Sequence, residues 1–264
     1  MDGVFGVVAG FGGIAQVASI GSAFWLGGRL LRRAQRNGGM PELLLGLHLL
    51  LAIGVGSLLL TIAAASSYTN RPLSPLVFGV LTIGGNSATL LGLMAVLWFN
   101  SRVFHDGNLR GRMVAVVASL LMWAGFALYV QAGGLQASNA ELYGPASWPY
   151  LGAMVLGDVW LISDALRFRS QLLRRLALGL AEPLVADRLL LWSVASLARV
   201  GLLLIAPLTG ALAPTAELRA ALVTPLLCVS SLLIVVATGS LWLMLLPSAG
   251  YRRWVARRYA AART

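Results

Sequence analysis

Seven apolar runs, each about as long as a membrane-crossing helix, dominate this sequence of 264 residues. A helix needs about 20 mostly apolar residues to cross a hydrocarbon core about 30 Å thick. Of the residues, 58% are hydrophobic and only 11% are charged, whereas soluble domains carry about 25% charged residues. The sequence therefore predicts an all-α polytopic membrane protein, a seven-transmembrane-helix bundle whose spans cover residues 4–31, 41–66, 76–100, 113–133, 149–167, 189–212 and 221–246.

The basic residues indicate how this bundle is oriented in the membrane. All 20 are arginine, and 17 of them follow or precede the spans on one side of the predicted membrane. Cytoplasmic loops carry the excess of basic residues, so that side is expected to be the cytoplasm. The N-terminus then lies outside and the C-terminus is cytoplasmic. We expect a single seven-helix domain over residues 1–250, followed by a basic amphipathic cytoplasmic tail over residues 251–264.

The net charge of +11 raises the question of a polyanionic partner. Because the arginines gather beside helix ends, anionic lipid headgroups explain them better than nucleic acid. The connector between spans five and six and the C-terminal tail each place arginines opposite an apolar stripe. Such helices lie on headgroups, or they dock a cytoplasmic protein partner. The richness in alanine, leucine and arginine favours a bacterial inner (cytoplasmic) membrane.

Two opposite charges lie deep within neighbouring predicted spans. Asp158 is about 13 Å from the arginine at the end of span five, and Arg199 about 16 Å from the one before span six, at about 1.5 Å per residue. Ionised groups at that depth are costly unless they face the protein interior and find partners. We expect Asp158 and Arg199 to meet, directly or through water. The pair would hold a polar ligand group or act as a switch, or it would only lock the helices together.

Three further polar residues lie within the predicted spans. His48 and Asp164 have roughly compatible depths, and a histidine paired with a carboxylate is a familiar pH sensor. The alternative is that the two are unrelated and that Asp164 reaches an arginine at the membrane edge. Asn86 lies in a run of small residues, where it would hydrogen-bond across a helix contact or line a polar pocket.

Aromatic side chains also fall within the spans, among them Tyr129, Trp160 and Trp192. They would line a cavity for an apolar or ring-bearing ligand, although core packing and interfacial belts use aromatic residues more often.

The sequence lacks the residues that several kinds of membrane-protein chemistry require. The chain has no lysine, so it cannot form a retinal Schiff base, and no cofactor is expected. Its two histidines are too few for an intramembrane site of three histidines and a carboxylate, so no metal is expected. The segment around Ser87 is not a Gly-x-Ser-x-Gly elbow. An enzyme that uses Asp158 or Asp164 is therefore the least favoured function.

The predicted outside-to-inside plan of seven spans resembles that of rhodopsins and G-protein-coupled receptors, including a cytoplasmic surface helix after the last span. The resemblance is one of topology. Span seven lacks the rhodopsin lysine, and Ser101-Arg102-Val103 stands where such receptors carry an acidic-Arg-aromatic triplet. No functional residue is carried over from either family.

These observations favour a sensor or receptor-like membrane protein that binds a small molecule within the bundle, near the Asp158–Arg199 pair. The alternative is a small-solute transporter with a binding site at the midplane. That alternative is suggested by the midplane charges and by a weak repeat, in which Pro41-Glu42 before span two matches Glu182-Pro183 before span six.

Overall fold

The computed structural model describes residues 2–66, 73–105, 108–132, 148–212 and 215–260. It is 93% helix, and the described residues form no strand. Residues 1, 133 and 261–264, which belong to the predicted domain, span four and tail, lie outside this part of the chain. The helices are α1 (Asp2–Asn37), α2 (Met40–His48), α3 (Ser57–Ser66), α4 (Pro75–Phe104), α5 (Leu109–Gln131), α6 (Trp148–Ala177), α7 (Pro183–Leu212), α8 (Ala216–Leu245) and α9 (Ala249–Ala260), and a π-helix, Leu49–Gly56, joins α2 to α3.

Local signals in the sequence set several helix ends. The hydroxyl of Ser74 accepts a hydrogen bond from a backbone N–H in the first turn of α4, and the side chain of Asn108 does the same for α5. Such caps satisfy N–H groups that have no partner within the helix. The turns after α1 and α6 pass through Gly38 (φ 64°) and Gly179 (φ 74°), a conformation that favours glycine. The short turns after α1 and α6 make the helices that they join close neighbours, α1 with α2 and α6 with α7.

The outer surface of the bundle is apolar. Six helices are long and apolar enough to cross a membrane: α1, the continuous helix formed by α2, the π-helix and α3, and then α4, α5, α7 and α8. Large apolar side chains on different helices, such as Ile14, Leu120, Leu197 and Leu232, are more than 60% exposed. A soluble protein does not present so much apolar surface to water. The chain is therefore an integral membrane protein.

The helix α6 differs from these six in composition. It contains the fifth predicted span, but its charged residues keep it below the hydropathy of a membrane-crossing helix. In the fold it packs between α5 and α7 and also contacts α4. Its buried face includes Asp158 and Asp164, whereas Leu156 and Leu166 are exposed on its surface. The two aspartates of α6 thus point into the protein, whereas its arginines Arg167, Arg174 and Arg175 are exposed.

The long helices form a closed ring. Each packs against the next in the chain, and α8 returns to pack against α1. At that closure the rings of Trp25 and Trp242 stack with their centroids 5.1 Å apart, and the indole N–H of Trp242 donates to the hydroxyl of Ser22 at 2.9 Å. A ring of helices can enclose a space at its centre.

Glycine residues, which have no side chain, allow α4 to approach the π-helix closely. A methyl group added at Gly92 would lie 2.6 Å from the backbone nitrogen of Ala52, closer than real contacts allow. A methyl group at Gly56 would lie 3.1 Å from the carbonyl oxygen of Gly85, and one at Gly85 would lie 3.2 Å from that of Gly56. Small residues at such positions let helices pack backbone against backbone in a membrane.

The C-terminal helix α9 is docked on the bundle. Val255 and Tyr259 are buried in a cluster with Leu176 near the end of α6. The hydroxyl of Tyr251 donates to the carboxylate of Asp187 on α7, which also lies 3.8 Å from the guanidinium of Arg258. Part of the apolar stripe predicted for the tail therefore packs on protein.

Candidate functional site

Asp158 and Arg199 meet, as the sequence predicts. The Nε–H of Arg199 donates to one carboxylate oxygen of Asp158 at 2.9 Å, and its Nη2 contacts the other oxygen. This two-point contact joins α6 to α7. The side chain of Asp158 is completely buried, whereas that of Arg199 is 19% exposed. The carboxylate thus lies behind the guanidinium and compensates its charge.

His48 is the third member of this network. Its Nδ1 lies 3.0 Å from the carbonyl oxygen of Gly92, and its Nε2 lies 2.9 Å from Nη1 of Arg199. A carbonyl oxygen only accepts, so Nδ1 must carry the hydrogen. A guanidinium only donates, so Nε2 must accept. His48 is therefore neutral in this arrangement, and it links α4 to the ion pair.

A cavity of about 380 Å³ occupies the centre of the ring. Its volume is in the range of small-molecule binding sites, about 300–1,000 Å³. Along α4 its wall extends from Phe78 to Leu93, which is roughly 22 Å at about 1.5 Å per residue. Most of the wall is apolar. Its polar and aromatic side chains are those of Gln16, Ser19, His48, Ser57, Phe78, Thr82, Asn86, Thr89, Tyr129, Tyr150, Trp192, Ser196, Arg199 and Thr238.

One side of the cavity is a polar stripe on α4. The side chain of Asn86 donates to the carbonyl of Thr82 at 2.9 Å and accepts from the hydroxyl of Tyr150 at 2.8 Å. The hydroxyl oxygen of Thr82 is buried and has no hydrogen-bond partner in the part of the chain that is described. Buried hydroxyls normally have a partner. A ligand or water in the cavity would supply one.

The predicted pairing of His48 with Asp164 is wrong. The carboxylate of Asp164 instead accepts from the amide of Asn100 at 3.0 Å and lies 2.7 Å from Nε2 of His105. The reason is the packing order, since α4 lies between α2 and α6. Both partners of Asp164 come from this part of the chain, Asn100 from α4 and His105 from directly after it. The two histidines belong to separate networks, one at the cavity and one at the C-terminal end of α4.

The remaining predicted residues divide between the cavity and its surroundings. Tyr129 and Trp192 line the cavity with Asn86 and Arg199. Trp160 does not line it, and its ring lies 5.6 Å from that of His105. Residues two apart on a helix point about 200° away from each other, so Trp160 cannot share the face of Asp158. Asp158 itself reaches the cavity only through Arg199.

The contacts of α9 form a second polar site, at Tyr251 and Asp187. Burial and the hydrogen bond to the Asp187 carboxylate both raise the pKa of Tyr251. The phenol, which is protonated at neutral pH in any case, thus keeps its proton more firmly beside the carboxylate that accepts from it. Because Asp187 is on α7, this contact ties the tail to the helix that carries Arg199, about 18 Å further along at about 1.5 Å per residue.

Comparisons of the chain with protein families, with curated proteins and with solved structures find no match. Its function must therefore be inferred from the cavity and from the residues around it. Among the residues that the structure describes, no group of three histidine, cysteine, aspartate or glutamate side chains lies close enough together to hold a metal ion.

Proposed function

We propose that this protein is a seven-helix, receptor-like membrane protein that binds a small molecule in its central cavity. The observation that carries the proposal is the exposed edge of Arg199. Its guanidinium is held by Asp158 and His48 and forms part of the cavity wall. A positioned polar group in a mostly apolar cavity is the usual design of a small-molecule site.

The proposal requires that α6, which contains the fifth predicted span, also crosses the membrane, so that the spans number seven in total. Its two aspartates have partners within the bundle, and Leu156, Val159 and Leu166 are exposed on its surface. A helix with this distribution presents an apolar surface to lipid although its mean hydropathy is low. The arginine distribution then places the N-terminus outside and α9 in the cytoplasm.

Cysteine labelling tests this topology. In a Cys228→Ser background, single cysteines replace Ser74 before α4, Leu180 after α6, and Ser248 before α9. In intact cells we expect a membrane-impermeant maleimide to label the cysteine at residue 74. The cysteines at residues 180 and 248 should react only after permeabilisation. If α6 does not cross the membrane, residues 74 and 180 lie on the same side and will label together.

A cavity-filling variant tests ligand binding. Ala237 lines the cavity, whereas Val235 on the same helix is 45% exposed on the outer surface. We expect native mass spectrometry of the protein, purified from its membranes, to show a bound small molecule that Ala237→Phe loses and Val235→Phe retains. Retention of the same molecule by Ala237→Phe, or an empty wild-type protein, would contradict the proposal.

A small-solute transporter is the second candidate. It is favoured by the position of Asp158 and Arg199 about midway along the predicted spans 149–167 and 189–212, because many transporters bind their substrates near the middle of the membrane. Uptake into proteoliposomes distinguishes the two functions, because a receptor binds its ligand without moving it across the membrane. We further propose a bacterial inner membrane as the location, with anionic headgroups or a cytoplasmic protein as partners of the exposed arginines of α9.

A further inference from the structure

The charges around the cavity restrict what it can bind. The described residues of its wall include one charged side chain, Arg199, and the carboxylate of Asp158 lies directly behind it. His48, the other ionisable cationic residue in the wall, is neutral because its Nε2 accepts from the guanidinium. The site therefore has no net charge before a ligand enters.

An ionised ligand would give this neutral site a net charge. A carboxylate would bring one negative charge into a buried site whose positive charge is already paired, and an ammonium group would bring one positive charge beside the guanidinium. Buried charges without compensation are strongly unfavourable, most of all within a membrane. A neutral polar group does not incur this cost.

Arg199 nevertheless retains hydrogen-bond donors. A guanidinium has five N–H groups, and the contacts with Asp158 and His48 use one on each of Nε, Nη1 and Nη2. Counting the contacts of the described residues, one N–H therefore remains on Nη1 and one on Nη2, on a side chain that is 19% exposed at the cavity. These donors match a carbonyl oxygen. The unpartnered hydroxyl of Thr82 offers a second polar contact elsewhere on the wall.

The rest of the cavity is suited to a hydrocarbon. Side chains such as Leu60, Met154, Leu202 and Ile234 line it, and its wall extends roughly 22 Å along α4. On the basis of the proposed function, we infer that the ligand is an uncharged, largely apolar molecule with a hydrogen-bond acceptor, such as an ester or ketone carbonyl. The carbonyl accepts from Arg199, and the chain or ring occupies the apolar part.

Three probes with the same hydrocarbon chain length test this inference on the full-length protein: methyl palmitate, palmitate and hexadecylamine. Binding is measured by native mass spectrometry, with palmitate compared at a pH high enough to keep it ionised. We expect the ester to bind about tenfold more tightly than either ion, because only the ester leaves the site neutral. Palmitate binding as tightly as the ester would overturn the inference.

The cavity variants separate this inference from the proposed function. Ala237→Phe should abolish ester binding and Val235→Phe should not, because only residue 237 lines the cavity. If no probe distinguishes these two variants, the cavity does not bind such molecules and the inference fails, whereas the proposed function still depends on whether Ala237→Phe loses the molecule that co-purifies with the wild-type protein. A different outcome is that palmitate binds more tightly than the ester and is lost from Ala237→Phe but not from Val235→Phe. In that case the cavity binds a small molecule, and only the inference fails.

The variant Asp158→Asn provides an independent signature. It removes the compensating carboxylate and leaves the site with the single positive charge of Arg199. The preference should then reverse, so that palmitate binds more tightly than methyl palmitate. A folded Asp158→Asn protein that still prefers the ester would overturn the inference. The wild-type comparison of the three probes requires no variant, so it decides the matter if this protein does not fold.

Discussion

Replacing Asp158 with asparagine will lower the free energy of unfolding by about 3–5 kcal/mol, the usual cost of leaving one member of a buried ion pair alone. The side chain of Asp158 is completely buried, and it is the carboxylate that contacts Arg199. Arginine cannot lose its proton in a protein, so Arg199 would remain charged at the centre of the bundle. Reversible unfolding in mixed detergent micelles measures the change.

Two comparisons show whether this loss comes from the buried pair. The double variant Asp158→Leu with Arg199→Met removes both charges, and it should be more stable than Asp158→Asn because neither residue leaves an unpaired buried charge. Glu42→Gln breaks the more exposed contact between Glu42 and Arg33, 3.6 Å apart, and should cost no more than about 1 kcal/mol. A loss from Asp158→Asn as small as that from Glu42→Gln would show that the pair does not stabilise the fold.

The sequence could predict this pair because depth in a membrane can be read from chain position. Asp158 and Arg199 lie midway along consecutive apolar segments, and consecutive helices joined by a short turn are neighbours. Both residues also share one strong requirement, since neither charge can face lipid. Under those two constraints a contact between them was the natural expectation.

The His48–Asp164 pairing failed because depth says nothing about which helices are neighbours. The helix α4 lies between α2 and α6, and Asp164 contacts Asn100 on α4 and His105 directly after it. His105 lies just beyond the apolar run of its span, where histidines are common and carry no signal of a buried partner. Only the packing of the helices shows that Asp164 on α6 faces α4.

The cavity itself was the least predictable feature. Thr82 and Tyr150 are ordinary polar residues at the margins of apolar runs, and nothing in their spacing indicates that they share a wall. No local sequence signal predicts the π-helix Leu49–Gly56, since this segment is uniformly apolar and contains no proline. Its wider turn and its small residues place Ala52 against Gly92, so the shape of the bundle depends on tertiary contacts.

That contact makes Gly92→Ala the second substitution with a large expected effect. The new methyl group would lie 2.6 Å from the backbone nitrogen of Ala52 and 2.7 Å from its Cβ atom. Backbone cannot rotate away as a side chain can, so α4 and the π-helix must separate. We expect a loss of about 1–3 kcal/mol in the free energy of unfolding, the usual cost of overpacking.

The same displacement should disturb the site, because the carbonyl of Gly92 accepts from Nδ1 of His48. A longer bond there would free His48 to turn away from Arg199, so Gly92→Ala should weaken methyl palmitate binding as well as stability.

Gly79→Ala on the same helix is the matched control, since a methyl group there meets nothing within 4 Å. It should leave binding unchanged and cost no stability, because alanine is the better helix former. Adding Ala52→Gly to Gly92→Ala should restore only part of the loss, since the backbone nitrogen of residue 52 stays in place. Equal stability of Gly92→Ala and Gly79→Ala would mean that α4 and the π-helix do not pack backbone against backbone.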